Sequence, residues 1–310
     1  MSFSADIKQE IANKDLEKHC QRAQLSALIQ LTSSLKLGKG AFTMRVRSEN
    51  PTTAKRIIFL LKQLYKVETN LQVARKTNLK KNNVYYIDVD QDVIPILEDL
   101  GIYTSRGIES HPRYEVVMKN CCAASYLAGA FLAYGSCNEP ANAGYHLELS
   151  LNDLEQANYA VKLISRFSIE ARTVIRRKRY VVYIKKADYI SAFLALIGAH
   201  DAMMRFEDER ISRDLMNSLS RINNCEIANE MKTFRAAQDQ VEALQRIMDS
   251  NKYQTLDEKL RNVIDLRMRF QDSSLLELCE EYQRNYGDLI SKSGMKHRLD
   301  KLMSIAEDLK

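Results

Sequence analysis

The sequence predicts an α+β fold in which one αββαββα unit occurs twice and an all-α domain follows. Three observations predict it. Two small-residue apolar stretches share one rhythm, Leu25-Ser-Ala-Leu-Ile-Gln-Leu-Thr-Ser33 and Tyr126-Leu-Ala-Gly-Ala-Phe-Leu-Ala-Tyr-Gly135. Each is followed by the same succession of alternating strands and amphipathic helices, the mark of an internal repeat. From about Glu207 the strand signals stop and the chain becomes charged and helical.

Gly129 lies among Ala128, Ala130 and Ala133. Glycine inside a helix costs roughly 1 kcal/mol against alanine, so a packing reason is expected there. Small residues let two helix backbones approach closely. The two stretches are therefore expected to meet at a local two-fold axis, with the repeated units packed as twins.

In chain order, Ser4 caps a short helix carrying Ile7 and Ile11. The first small-residue helix runs roughly from Gln21 to Leu35, ended by Gly38 and Gly40. Phe42-Thr-Met-Arg-Val-Arg47 alternates as a strand, with Arg45 and Arg47 on its polar face. Pro51 opens a helix with Ile57, Ile58, Leu61 and Leu64. A basic stretch from Arg75 to Asn83 leads into the strand Val84–Val89, and a helix from Asp92 ends at Gly101. The second unit repeats this order. After the Tyr126–Gly135 helix come the strand Tyr145–Ser150, a helix with Ala160 and Leu163, a basic turn Arg176-Arg-Lys-Arg179, the strand Tyr180–Ile184, and a helix from Asp188 to Gly198. In the last third, a helix from Asn223 to Met248 carries Ile227, Met231, Phe234, Ala237, Val241 and Leu244. A helix from Leu256 to about Phe270, a short one after Asp272, and a final one from about Ser291 follow. This divides the chain into residues 1–205 (units of about 1–105 and 106–205), a helical linker 206–222, and 223–310.

Composition narrows the function. No apolar run reaches the length of a membrane span, and the N-terminus lacks the apolar core of a secretory signal. The six cysteines show no CxxC pair and no zinc spacing, so they read as reduced thiols. His19, His111, His146 and His200 are far apart, and no glycine-rich phosphate loop follows a strand. No cofactor, metal, catalytic residue or small-molecule substrate is expected. A net charge of +6 permits nucleic-acid binding without implying it.

Two basic regions are candidates for that binding. The final helix places Ser291, Lys292, Ser293, Lys296, His297, Arg298 and Lys301 in its first turns, opposite Leu299 and Leu302. A helix N-terminus favours phosphate, and base-reading side chains of a helix-turn-helix lie in the first turns of its second helix. In the repeated domain, Arg45, Arg47, Arg75 and Lys76 of the first unit, and Arg172, Arg176, Arg177, Lys178 and Arg179 of the second, offer a basic sheet face.

Leu127–Gly135 resembles the LAGLIDADG motif of homing endonucleases, with Leu25–Ser33 as a weaker first copy. In those nucleases the penultimate motif residue is an acidic metal ligand; Thr32 and Tyr134 stand there in this chain. The resemblance thus implies the duplicated LAGLIDADG-like fold and a DNA-facing saddle, while the two substitutions argue against cleavage, since Mg²⁺ prefers hard charged oxygens. Such a domain followed by a helix-turn-helix resembles the WhiA regulators of Gram-positive bacteria. Ser2–Glu10, Asn223–Asn229 with Lys232 and Ala236–Gln238, and Ser291–Leu299 all resemble phrases of that family. The resemblance implies a cytoplasmic, nucleoid-associated regulator of cell division, chromosome segregation and, in spore formers, sporulation. Duplex DNA is the implied partner, with RNA polymerase or another transcription factor beside it. The competing readings are an endonuclease using Glu139, Glu148 or Asp153, and an RNA-binding splicing cofactor.

Overall fold

The computed structural model describes residues 2–38, 41–75, 83–142 and 144–309. Its contacts divide the chain into Met1–Arg213 and Asp214–Lys310.

The first body opens with α1 (Phe3–Asn13) and α2 (Lys18–Thr32), then β1 (Ser33–Gly38), β2 (Ala41–Ser48), α3 (Pro51–Tyr65), β3 (Asn70–Arg75), β4 (Asn83–Val89) and α4 (Val93–Asp99). A small hairpin, β5 (Tyr103–Thr104) and β6 (Gly107–Ile108), and the single turn α5 (Tyr114–Val117) lead to the second half. That half comprises α6 (Asn120–Tyr134), β7 (Gly135–Cys137), β8 (Leu147–Leu151), α7 (Leu154–Ser165), β9 (Arg172–Arg176), β10 (Arg179–Ile184) and α8 (Ala187–Leu196). The two four-stranded antiparallel sheets have the same permuted order, β1-β2-β4-β3 and β7-β8-β10-β9. The duplication read from the sequence is therefore a duplication of topology.

Each sheet has a dry face and an open one. Met44, Val46, Ile87 and Val89 are buried in the first sheet, and Leu147, Leu149, Leu151, Val182 and Ile184 in the second. Because side chains alternate along a strand, the intervening positions face the other way. The open faces carry Arg45, Arg47, Tyr86 and Asp88 in one sheet and Glu148, Arg172, Arg176 and Arg179 in the other.

The motif helices α2 and α6 pack on each other at the centre. A Cβ built on Gly129 would collide with the Gln24 carbonyl oxygen and lie 2.9 Å from the Ala27 Cβ. Ala27 and Gly129 hold the same place in the two motif copies, so small residues at equivalent positions face each other across the contact. Tyr126 Oη donates to Gln30 Oε1 across the seam at 2.6 Å, while Ser26 Oγ, donating to the Leu100 carbonyl at 2.8 Å, and Arg56 Nε, donating to Gln24 Oε1 at 2.7 Å, fix α2 within its own unit. Asn50 accepts the Thr53 N–H at the start of α3, with Pro51 in its first turn.

Four expectations need correction. Ser2, not Ser4, is the N-cap of α1; Ser4 lies inside the helix and its Oγ donates to the Cys137 carbonyl at 2.9 Å. The first motif helix ends at Thr32, not Leu35, because Ser33 already pairs with Val46 and Leu35 with Met44 in β1–β2. Strands β3 and β9 were not read as strands. Each is an edge strand exposed on both sides, so no apolar alternation marks it. The expected linker 206–222 and the helix from Asn223 are one uninterrupted helix, α9 (His200–Met248), through which the division at Arg213 passes. Of its apolar series, Ala237 and Leu244 are buried, whereas Ile227, Met231 and Phe234 are exposed.

The second body adds α10 (Lys252–Thr255), α11 (Glu258–Arg269), α12 (Leu275–Tyr286) and α13 (Lys292–Glu307). Its core joins Leu244 and Ile247 to Leu260, Ile264, Leu278, Tyr282, Met295, Leu299 and Leu302. Ser274 and Glu277 form a reciprocal capping box at the start of α12. Buried Arg267 donates to the Ser273 carbonyl at 2.5 Å, tying the end of α11 to that start.

Candidate nucleic-acid interfaces

The turn between α12 and α13 begins at Gly287, whose φ of 76° closes α12 in the left-handed region. Ser291 then caps α13, its Oγ accepting the Gly294 N–H at 3.1 Å. One free N–H of the first turn is thereby satisfied. The others, with the helix dipole, remain available to an anion.

Helical periodicity sorts the predicted residues of α13. Met295, Leu299, Leu302 and Ala306 are buried. Ser293, Lys296, His297 and Lys301 are exposed on the flanks and the far side, joined by one acid, Asp300, and Lys292, three residues before Met295, is exposed because it begins the helix. Arg298 stands apart from them. Its Nη1 donates to the Tyr282 hydroxyl at 2.9 Å, and its guanidinium lies over the Tyr282 ring, 5.2 Å from the centroid. Arg298 thus fastens α13 to α12, and Ser291 is spent on the cap. Sequence periodicity alone does not distinguish these two structural roles from ligand contact.

The open sheet faces hold most of the other predicted cations, several of them already paired. Arg45 makes a bidentate bridge to Asp88 across β2 and β4, at 2.6 and 2.7 Å. Those hydrogen bonds hold the Asp88 carboxyl below its usual range. Arg45 was expected to lie along phosphates; the structure makes it a strand-to-strand clamp. Arg47 pairs with Glu49 at 2.8 Å, Arg172 with Glu170 at 2.8 Å, and Arg176 lies 3.7 Å from Glu148. Arg75 ends β3, exposed, and Lys76 lies outside the described residues. Arg177 and Lys178 form the exposed tip of the β9–β10 hairpin, both with positive φ, 50° and 63°.

The foot of α6 is the place the sequence points to for metal chemistry. Thr32 Oγ1 donates to the Leu28 carbonyl at 2.6 Å, inside its own helix. Tyr134 lies under the Arg179 guanidinium, 4.8 Å from the ring centroid. A cleft of about 400 Å³ opens beside Tyr134 and Gly135, lined by Lys8, Arg47, Glu49 and Arg179. The three cations outnumber the single carboxylate, which Arg47 already engages, so the donor set does not fit Mg²⁺. Of the alternative acids, Glu139 pairs with Arg205, Glu148 with His146 at 3.0 Å, and Asp153 caps α7. The charged side chains that line the cleft are thus net positive.

Lys8 was missed in the sequence because α1 reads only as a short amphipathic helix. Burial pushes its ammonium down to about 8. The unfolded chain holds that proton to roughly pH 10.4, so between those values the unfolded state binds more protons. Stability is therefore expected to rise with pH through this window, having carried the full cost below it. Urea midpoints on either side of the window, for wild type and Lys8→Met, check this: the difference between the two proteins should narrow as pH rises.

Three family models match the chain in succession. They are the WhiA N-terminal LAGLIDADG-like domain over residues 18–103, the WhiA LAGLIDADG-like domain over 123–216, and the WhiA C-terminal HTH domain over 219–306. The chain belongs to the WhiA family. A Brevibacillus brevis relative is 41% identical over 312 residues, covering 100% of this chain and 98% of that protein. One from Latilactobacillus sakei is 42% identical over 308 residues, covering 99% and 97%. Both bear the name "Probable cell division protein WhiA". The crystal structure of full-length DUF199/WhiA from Thermatoga maritima shares the fold, with a TM-score of 0.62, 23% identity and 99% coverage of each chain. The WhiA assignment makes the first body a pair of LAGLIDADG-like domains and the second a helix-turn-helix domain. No helix among the described residues is long and apolar enough to cross a membrane.

Proposed function

We propose that this WhiA-family chain is a sequence-specific duplex-DNA-binding regulator that does not cut DNA. It would act at the nucleoid in cell division, chromosome segregation and, in spore formers, sporulation, with RNA polymerase or another transcription factor as protein partner. The observation that carries the DNA-binding part is the exposed group Lys292, Ser293, Lys296, His297 and Lys301 in the first three turns of a helix whose inner side is buried. The link to division rests on the names of the relatives. The absence of cleavage rests on Thr32 and Tyr134, whose side chains are turned to an intrahelical bond and an arginine stack.

Incubating the full chain with supercoiled DNA and Mg²⁺ or Mn²⁺ tests the last point. Retention of the supercoiled form is expected; nicking above a chelator control would overturn it. Competition between duplex DNA and single-stranded RNA tests the ligand, because the recognition geometry needs a B-form major groove.

On this reading the sheet saddle adds phosphate contacts to those of α13. The Arg177–Lys178 tip supports it, since two non-glycine residues hold left-handed backbone where Asn-Gly is favoured. Replacing the pair by Asn-Gly is expected to stabilise the first body by about 1 kcal/mol. The same change is expected to lower the salt slope of DNA binding by roughly 1.8, the loss of two phosphate contacts. A stabilised protein with an unaltered slope would remove the tip from the interface.

A further inference from the structure

The N-terminal ends of α2 and α6 lie at the other end of the motif helices from Thr32 and Tyr134, and they gather a different chemistry. His19, Cys20, Cys121 and Cys122 bring one donor atom each within 4.8 Å of one another. His19 Nδ1 is 3.3 Å from Cys20 Sγ and 3.3 Å from Cys122 Sγ. The offset that superposes Leu25–Ser33 on Leu127–Gly135 pairs His19 with Cys121 and Cys20 with Cys122. The four donors therefore come from matched positions of the two repeats, gathered about their local two-fold.

We propose that these four side chains form a tetrahedral metal site for a thiolate-seeking cation, Zn²⁺ first, that clasps the two motif helices at their N-terminal ends. Three thiolates and one imidazole are a closed structural donor set for zinc. Bond lengths of about 2.3 Å to sulfur and 2.0–2.1 Å to nitrogen, in a tetrahedron, place donors roughly 3.5–3.8 Å apart. The observed donor spacing needs only small side-chain adjustments to reach this.

The surroundings agree with the assignment. Glu17 Oε2 lies 3.9 Å from His19 Nε2, on the side away from the thiols. That separation is beyond a hydrogen bond, and closing it would let the carboxylate accept the other ring N–H, as a carboxylate behind a ligating imidazole does. A cavity of about 280 Å³ lined by Gln24, Ser125, Cys20 and Cys121 opens a path for the ion. Cys121 is exposed, whereas Cys20 and Cys122 are buried, so the site closes at the surface of the seam and not inside it.

The site carries no catalytic role, because all four positions are taken by protein. Its effect is mechanical: one ion joins residues about a hundred apart in sequence, across the interface that holds the two repeats together.

Cobalt(II) titration of the reduced, metal-stripped full chain tests the proposal. One equivalent should produce a thiolate-to-metal charge-transfer band and the intense visible bands of tetrahedral cobalt, both displaced by Zn²⁺. Zn²⁺ should also raise the melting temperature of the first body by several degrees. Cys121→Ser, an exposed change that leaves packing intact, and His19→Asn should each reduce the bands and the thermal shift, while Cys225→Ser should leave both unchanged. Absence of a one-equivalent tetrahedral spectrum in wild type would overturn the proposal. So would undiminished bands in the Cys121→Ser/His19→Asn double variant. A Cys20–Cys122 or Cys20–Cys121 disulfide in protein purified under metal-replete, reducing conditions would replace the clasp with a redox link and equally refute it.

Discussion

Replacing Lys292, Lys296 and Lys301 together by alanine is expected to weaken duplex-DNA binding by orders of magnitude at moderate salt while leaving the fold intact. All three side chains are exposed on α13, outside the buried set Met295, Leu299 and Leu302, so little packing is lost. If each lysine neutralises one phosphate, the slope of log affinity against log salt falls by about 2.7. The change should be nearly uniform across sequences, because phosphate contacts position a protein and carry little base information. His297→Ala should behave differently, costing about 1–3 kcal/mol on cognate sites and little on others if the imidazole reads a base edge. Arg298→Ala provides the structural comparison. It removes the bond and ring stack to Tyr282, so it should lower the melting temperature of the second body before it alters any salt slope. Fluorescence anisotropy across a salt series, paired with thermal melts, separates the three outcomes. An unchanged slope in the triple variant would move the DNA site from α13 to the sheets.

Gly129→Val is expected to destabilise the first body severely and lower its melting temperature by many degrees. The added Cβ alone would overlap the Gln24 carbonyl oxygen and press on Ala27. Overpacking a core typically costs 1–3 kcal/mol when side chains can shift. Here the obstacle is backbone on both sides of the seam, so a cost of at least about 3 kcal/mol is expected, a large part of a domain's net stability of about 5–15 kcal/mol. Ala27→Gly opens the equivalent place on α2 and should cost much less, about 1 kcal/mol in helix propensity. A Gly129→Val protein with a wild-type melting temperature would mean that the helices do not meet as described.

Much of this molecule was legible because its signals are local and repeated. The small-residue rhythm of Leu25–Ser33 and Leu127–Gly135 predicted both the duplication and the tight seam. The Ser291 cap with Leu299 and Leu302 marked the last helix and its inner face. Other features lack such a signal. The edge strands β3 and β9 are wet on both faces, so their hydropathy does not alternate. Arg45 looked like a free cation until β4 brought Asp88 opposite it, and Arg298 until α12 brought Tyr282 beside it.

The sequence by itself determined the repeat, the order of elements and the loss of carboxylates at Thr32 and Tyr134, because each is a property of residue type and near-neighbour spacing. Tertiary structure decided which cations are committed to partners, that Lys8 joins Arg47 and Arg179 at the foot of α6, and that His19 and Cys20 meet Cys121 and Cys122. Those are contacts between residues far apart in the chain. Charge pairing and metal ligation act over a few ångströms of space, and only folding converts distance along a sequence into that proximity.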